Sequence, residues 1–361
     1  MTVGRPRAAV AAMASYRPGK SAAQAEDEHG IADAVKLASN ENPYPPVPSI
    51  VEAVAAAAGD VNRYGDHRAV ELRCALAAWL GVDAERVATG CGSVGLLQQL
   101  FLAYVDPGDE VVYPWPSFEA YPVDVAITAA VEVTVPLVDD AFDLDAVAEV
   151  VTGRTKLVVL ANPNNPTGTA VHVDQIRTLV ERVPDDVLVV VDEAYREFTT
   201  VDLGDPVTDL QPDHPNVVVL RTFSKAYGLA ALRTGYAVAD PSVVAEVDKV
   251  LIPFAVNHLA QVASLAAIDA RDEAQVVIDR LTGERDRLVG ALRADGWTVP
   301  DTQANFVWLP LGSRADAVQP GLERRGIVVR PFPGVGIRVT VGTPDQNDRF
   351  LAALAEVAEP T

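Results

Sequence analysis

Short, valine-rich apolar runs recur through the middle of the chain, and each stops at polar residues. Val111-Val112-Tyr113 follows Asp109-Glu110. Lys156 to Leu160 stops at Asn162-Pro163, Val187 to Val191 at Asp192-Glu193, and Asn216 to Leu220 at Arg221-Thr222; Gly235 to Ala239 follows. None of these runs alternates apolar with polar residues, so each predicts a strand buried on both faces. Stretches with a helical repeat, such as Val173 to Val183, lie between them. This rhythm predicts an α/β fold with a largely parallel sheet covered by helices.

After about residue 250 the pattern changes. A long amphipathic stretch, Ala274 to Ala294, leads to Trp297-Thr298-Val299. Then come Asn305 to Leu309, a helical pattern around Ala315 to Arg325, the runs Ile327 to Arg330 and Gly336 to Thr340, and a last helix, Gln346 to Val357. This predicts a second, smaller α+β domain over 251–361, after a large domain over 46–250 and an N-terminal arm over 1–45.

Composition narrows the function classes. Of 361 residues, 49% are hydrophobic and 22% charged, the balance of a globular chain long enough for two cores. A net charge of −21 argues against nucleic acid or an anionic membrane as the main partner. A local group of donors can still bind a small anion. The two cysteines, Cys74 and Cys91, form no CxxC pair, which predicts no disulfide framework, no metal site and a reducing compartment. The first twenty residues are basic and Ala-rich, but Arg and Pro break the apolar run, so they read as a cytoplasmic arm and not a signal peptide. No apolar run reaches the length of a membrane-spanning helix.

In open α/β sheets, ligands collect at the carboxyl ends of the strands. Four segments stand there or at a helix start. Gly90, Gly92 and Gly95 spell GxGxxG, but the next apolar strand, Val111-Val112-Tyr113, ends in Pro114-Trp115-Pro116 and not in the acid that a dinucleotide ribose needs. The glycine turn still opens a helix whose N–H groups favour a phosphate. ANPNNPTG (161–168) reads as a turn, or as an Asn amide presented at a strand end. Asp192 follows five apolar residues, where a carboxylate is costly unless a cation or donors meet it; a helix cap is the ordinary alternative. Lys225 alone is an ordinary solvated loop lysine. Together they fit one demand. A cofactor with an aldehyde needs an amine, its pyridine nitrogen a carboxylate, and its phosphate N–H, hydroxyl and Arg donors; pyridoxal phosphate chemistry asks for that set.

The segments NPNNPTG, VVDEAY, TFSKAYGLAALRTGY and IRVTVGT resemble fold-type I aminotransferases, in particular the histidinol-phosphate aminotransferase family. ASNENPYPP (38–46) and NRYGD (62–66) are similar to it too, and the likeness runs from about Tyr16 to the C-terminus. Two departures, Val94-Gly95 after Ser93 and the short PFPGVG link between Arg330 and Arg338, resemble a bacterial aromatic amino acid (phenylalanine) aminotransferase subgroup. The resemblance implies a mostly parallel seven-stranded sheet between helices and pyridoxal 5'-phosphate as cofactor. It implies transamination between aromatic amino acids and a 2-oxo acid such as 2-oxoglutarate; histidinol phosphate is the alternative substrate. Another pyridoxal phosphate reaction, such as decarboxylation, stays open, as does a non-catalytic or dinucleotide-binding role.

By the same resemblance, Lys225 binds the cofactor aldehyde covalently and then moves the substrate Cα proton. Asp192 pairs with the pyridinium, Asn165 and Tyr195 with the ring oxygen, and Phe118 stacks on the ring. Ser93, Val94, Thr222, Ser224 and Arg233 hold the phosphate, with Tyr64 reaching it from the neighbouring subunit of a homodimer that shares its active sites. Arg338 takes the substrate carboxylate. Tyr16 covers the site, and Arg330 lines the side-chain pocket together with Asn257.

Overall fold

A computed structural model of the chain describes residues 4–13 and 19–360. Eleven strands are found among the described residues. Seven form the larger sheet: β2 (Val87–Cys91), β3 (Glu110–Trp115), β4 (Val131–Pro136), β5 (Thr155–Ala161), β6 (Leu188–Asp192), β7 (Val217–Thr222) and β8 (Thr234–Val238). Their order is β2-β8-β7-β6-β5-β3-β4. All pairings are parallel except those of β8, which runs antiparallel to both β2 and β7.

The valine runs do what their lack of alternation predicts. Val158, Val159 and Leu160, Val189 to Val191, and Val217 to Leu220 are all fully buried. Helices cover both faces, so both side-chain rows of each strand leave water, each Val contributing about 1.5–3 kcal/mol of transfer free energy. By contrast β4, at the edge of the sheet, reads Val-Glu-Val-Thr-Val-Pro with only Val135 buried. A strand wet on one face carries mixed polarity, and this one is not among the apolar runs visible in the sequence.

The second sheet has the order β1-β10-β11-β9, with β1 (Val35–Leu37), β9 (Phe306–Leu309), β10 (Ile327–Phe332) and β11 (Gly336–Thr340). It is not confined to the C-terminal stretch, because β1 comes from the N-terminal segment and pairs in parallel with β10. Helices Arg271–Ala294, Ala315–Glu323 and Pro344–Val357 accompany it. Trp297 and Val299 are buried, with Thr298 exposed between them, but the segment is not in a strand. The final helix starts two residues earlier than its apolar repeat predicts, because Thr343 caps it, exchanging bonds with Gln346, and Pro344 opens it. Among the described residues, no helix is long and apolar enough to cross a membrane.

Candidate active site

Strands β7, β6 and β5 are neighbours, and their carboxyl ends open on one cavity of about 110 Å³. From β5 come Ala161 and Asn165, from β6 Asp192, Ala194 and Tyr195, and from β7 Thr222, Ser224 and Lys225. Alternation along a strand decides which residue faces in. Asp192 faces the cavity, whereas Glu193 turns to the other side and accepts from Arg221 Nε at 2.8 Å. In the same way Thr222 faces in and Arg221 does not.

The amine, the acid and the donors therefore share one space. Burial pushes the Lys225 ammonium down to about 8, helped by the positive charges of Arg338 and Arg233. Its Nζ donates to the Ser39 carbonyl at 3.3 Å and lies 5.8 Å from the Tyr195 ring centre. Burial pushes the Asp192 carboxyl up to about 6, while donation from Tyr121 pulls the other way. The Tyr121 hydroxyl lies 3.4 Å from Asp192 Oδ2, and Oδ1 is buried with no hydrogen-bond partner among the described residues. A buried carboxylate oxygen without a donor is costly, and a protonated ring nitrogen would satisfy it.

An anion cradle completes the lining. After β2 the chain turns at Gly92, φ +72°, into helix Gly92–Tyr104, whose first turn brings Ser93 and Val94 to the cavity. No side chain caps this helix, so its first N–H groups are available to a phosphate. A Cβ on Gly235 would come within 2.4 Å of the Ser93 nitrogen, so β8 packs directly under the turn. The Thr222 hydroxyl lies 3.0 Å from Ser224 Oγ, and Arg233 Nη1 is 3.4 Å from the same oxygen. Arg233 itself holds φ +63°, a left-handed conformation costly for a residue with a Cβ. Phe118, at the end of the segment after β3, also lines the cavity and meets Tyr121 edge-on at 5.7 Å.

Of the residues singled out in the sequence, ten meet here, and four others among the described residues do not line the cavity. Arg338 stands beside it: its Nη1 donates to Asn165 Oδ1 and its Nη2 to the Ala38 carbonyl at 2.6 Å. Arg330 is held by Glu119. Tyr64 is 82% exposed and stacks on Phe254 at 4.4 Å, away from this chain's own cavity. Tyr16 lies outside the described residues. Asn257 caps helix His258–Asp269 and donates to the Leu232 carbonyl. The group Glu28, His29 and Glu323 is spaced for a metal ion, but the Lys20 ammonium already bonds both glutamates.

Three contributors escaped the motifs. Asn40 Nδ2 donates to the Tyr195 hydroxyl at 2.9 Å, and Asn305 in turn donates to the Asn40 carbonyl. Tyr121 reaches Asp192, and Glu119 reaches Arg330. Only Asn40 had a signal, since it lies within the family-like ASNENPYPP.

A family model described as aminotransferase class I and II matches residues 32–354. The chain belongs to the class I and II aminotransferases. Among similar members, the aromatic amino acid aminotransferase of Thermobifida fusca (strain YX) is 50% identical over 345 residues, covering 96% of this chain and 95% of that protein. The aromatic amino acid aminotransferase of Mycobacterium tuberculosis (strain ATCC 25618 / H37Rv) is 47% identical over 350 residues, with 96% of each covered. The crystal structure of histidinol-phosphate aminotransferase from Sinorhizobium meliloti, in complex with pyridoxal-5'-phosphate, matches this aminotransferase at TM-score 0.91 and 32% identity, covering 99% of this chain and 98% of that one.

Proposed function

We propose that this aminotransferase uses pyridoxal 5'-phosphate to move the amino group of phenylalanine, tyrosine or tryptophan to a 2-oxo acid such as 2-oxoglutarate. The observation that carries the reading is the meeting of Lys225 and Asp192 in one cavity with an anion cradle. The names of the relatives at 47–50% identity support aromatic substrates. When bound, the cofactor supplies an aldehyde for the amine and a ring that accepts the electron pair released at Cα.

The chain's own residues do the rest. Ser93, Val94, Thr222, Ser224 and Arg233 would hold the phosphate through N–H, hydroxyl and guanidinium donors. Phe118 would lie against the ring. Asp192, with Oδ1 lacking a partner among the described residues, would accept from the ring nitrogen and keep it protonated. Asn165 accepts from Arg338 through Oδ1, which leaves its NH₂ to donate to the ring oxygen. Tyr195 accepts from Asn40 and would donate its own proton to the same oxygen. Arg338 would take the substrate α-carboxylate as a forked pair. Lys225, with its pKa near 8, has enough neutral amine at working pH to take the Cα proton and return it.

The reading extends to a large cofactor-binding domain over 46–250, a small domain over 251–361, an arm over 1–45 carrying Tyr16 to the site, and a homodimer in which Tyr64 of one subunit reaches the phosphate held by the other. The exposed Tyr64–Phe254 stack supports that last element, because two large rings left in water favour a covered face.

A panel of donors and acceptors with purified protein tests the reading. Phenylalanine, tyrosine and tryptophan should be used with higher kcat/KM than histidinol phosphate. Preference for histidinol phosphate, or release of carbon dioxide in place of amino transfer, would reverse it.

A further inference from the structure

Strands β10 and β11 are antiparallel, and Arg330 stands directly opposite Arg338. Directly opposed residues of such a pair project from the same face, with Cβ atoms about 4.5–5.5 Å apart. Arg338 bonds the cavity-lining Asn165, so Arg330 lies on the face turned toward the site. Two guanidinium groups side by side would suit a substrate with two anionic groups. One of them, however, is already matched. Glu119, the residue after cavity-lining Phe118, grips Arg330 as a fork: Nε to Oε2 at 2.9 Å, Nη2 to Oε1 at 2.7 Å and Nη2 to Oε2 at 2.6 Å. The Arg330 side chain is 10% exposed and that of Glu119 31%, so water screens the pair only partly.

We infer that Glu119 determines substrate preference by neutralising Arg330, so that the site favours amino acids with one carboxylate and an uncharged side chain over those with a second anion. The inference rests on the proposed transamination of aromatic amino acids and adds the group that sets the preference. A second anion approaching Arg330 must displace the Glu119 carboxylate or lie beside it, which raises its KM without barring it. Glutamate and 2-oxoglutarate therefore remain usable. Glu119 acts through Arg330 and is a positioning residue, not a catalytic one.

The test compares kcat/KM for phenylalanine and for glutamate as amino donors, in the cofactor-loaded enzyme. In the Glu119→Gln variant the ratio of glutamate to phenylalanine should rise about five- to tenfold, chiefly through a lower KM for glutamate. Glu119→Asp, which keeps the charge but shortens the reach, should give a smaller rise and guards against a folding failure of the first variant. In an Arg330→Gln background, Glu119→Gln should change the ratio by less than about twofold, since its target is gone. A purely structural role for the pair would lower both donors in parallel. That result, or an unchanged ratio in both single variants, overturns the inference while leaving the proposed function in place. A wild-type enzyme that does not use phenylalanine overturns both.

Discussion

A Cβ added to Gly92 would lie 2.6 Å from Arg233 Nη2. The turn that starts helix Gly92–Tyr104 and the Arg233 guanidinium thus pack together down to the last methyl group. Gly92 also sits at φ +72°, where a side chain costs about 1 kcal/mol. Gly92→Ala should weaken binding of pyridoxal phosphate to the apoprotein about tenfold or more, read by fluorescence titration. Unchanged affinity would remove this turn and Arg233 from the cradle.

In the proposed chemistry, covalent capture of the cofactor requires the neutral Lys225 amine. With its pKa held near 8, the rate of attachment should climb with pH up to about 8 and then level off. An unshifted lysine, at 10.5, would show a rate still climbing beyond that point. The sign also fixes a stability effect in the apoprotein. Between about 8 and 10.5 the unfolded chain keeps a proton that the folded one has lost, so the contribution of Lys225 to stability rises with pH across that window. Stopped-flow absorbance and urea melts at several pH values check the two parts.

Tyr121 donates to Asp192 and draws its carboxyl down against the effect of burial. Tyr121→Phe removes that donor, so the Asp192 carboxyl should move further up from about 6. In the cofactor-free protein the Asp192 carboxyl, followed by NMR titration, should shift upward by about half a unit to one unit. A titration that stays in place would mean that Tyr121 does not hold this carboxyl down.

Asn40 fixes the Tyr195 phenol, and Thr340 donates to Asn40 Oδ1 at 3.0 Å. The loop after β1 is thereby bound to the site from the second sheet. Asn40→Ala should lower kcat about tenfold while changing the KM for phenylalanine by less than about threefold, because the hydrogen bond orients Tyr195, which in the proposed function faces the cofactor and not the substrate. A loss confined to KM would contradict that role.

Much of the site was legible in the sequence because its residues follow buried strands. Asp192 and Lys225 stand just after apolar runs, where a charge needs a reason. Asp192 and Glu193 are adjacent carboxylates, and strand alternation sends one to the cavity and the other to Arg221. The contacts by which polar members bridge distant segments were not legible, although Asn40 itself lies within the family-like ASNENPYPP. Asn40 meets Tyr195 from 155 positions away and Glu119 meets Arg330 from 211, and no local pattern marks either pair. The edge strand β4 and the three-residue β1 were missed for a different reason, since one is wet along most of its length and the other too short to show a period.

The central claim is that Lys225 is the amine that holds the cofactor. Borohydride reduction of the cofactor-loaded enzyme, followed by peptide mass mapping, tests it directly. The account predicts a pyridoxyl group on the peptide containing Lys225, and none in the Lys225→Ala variant, which should also lose turnover. A pyridoxyl group on another lysine, or transamination that survives the substitution, would contradict it.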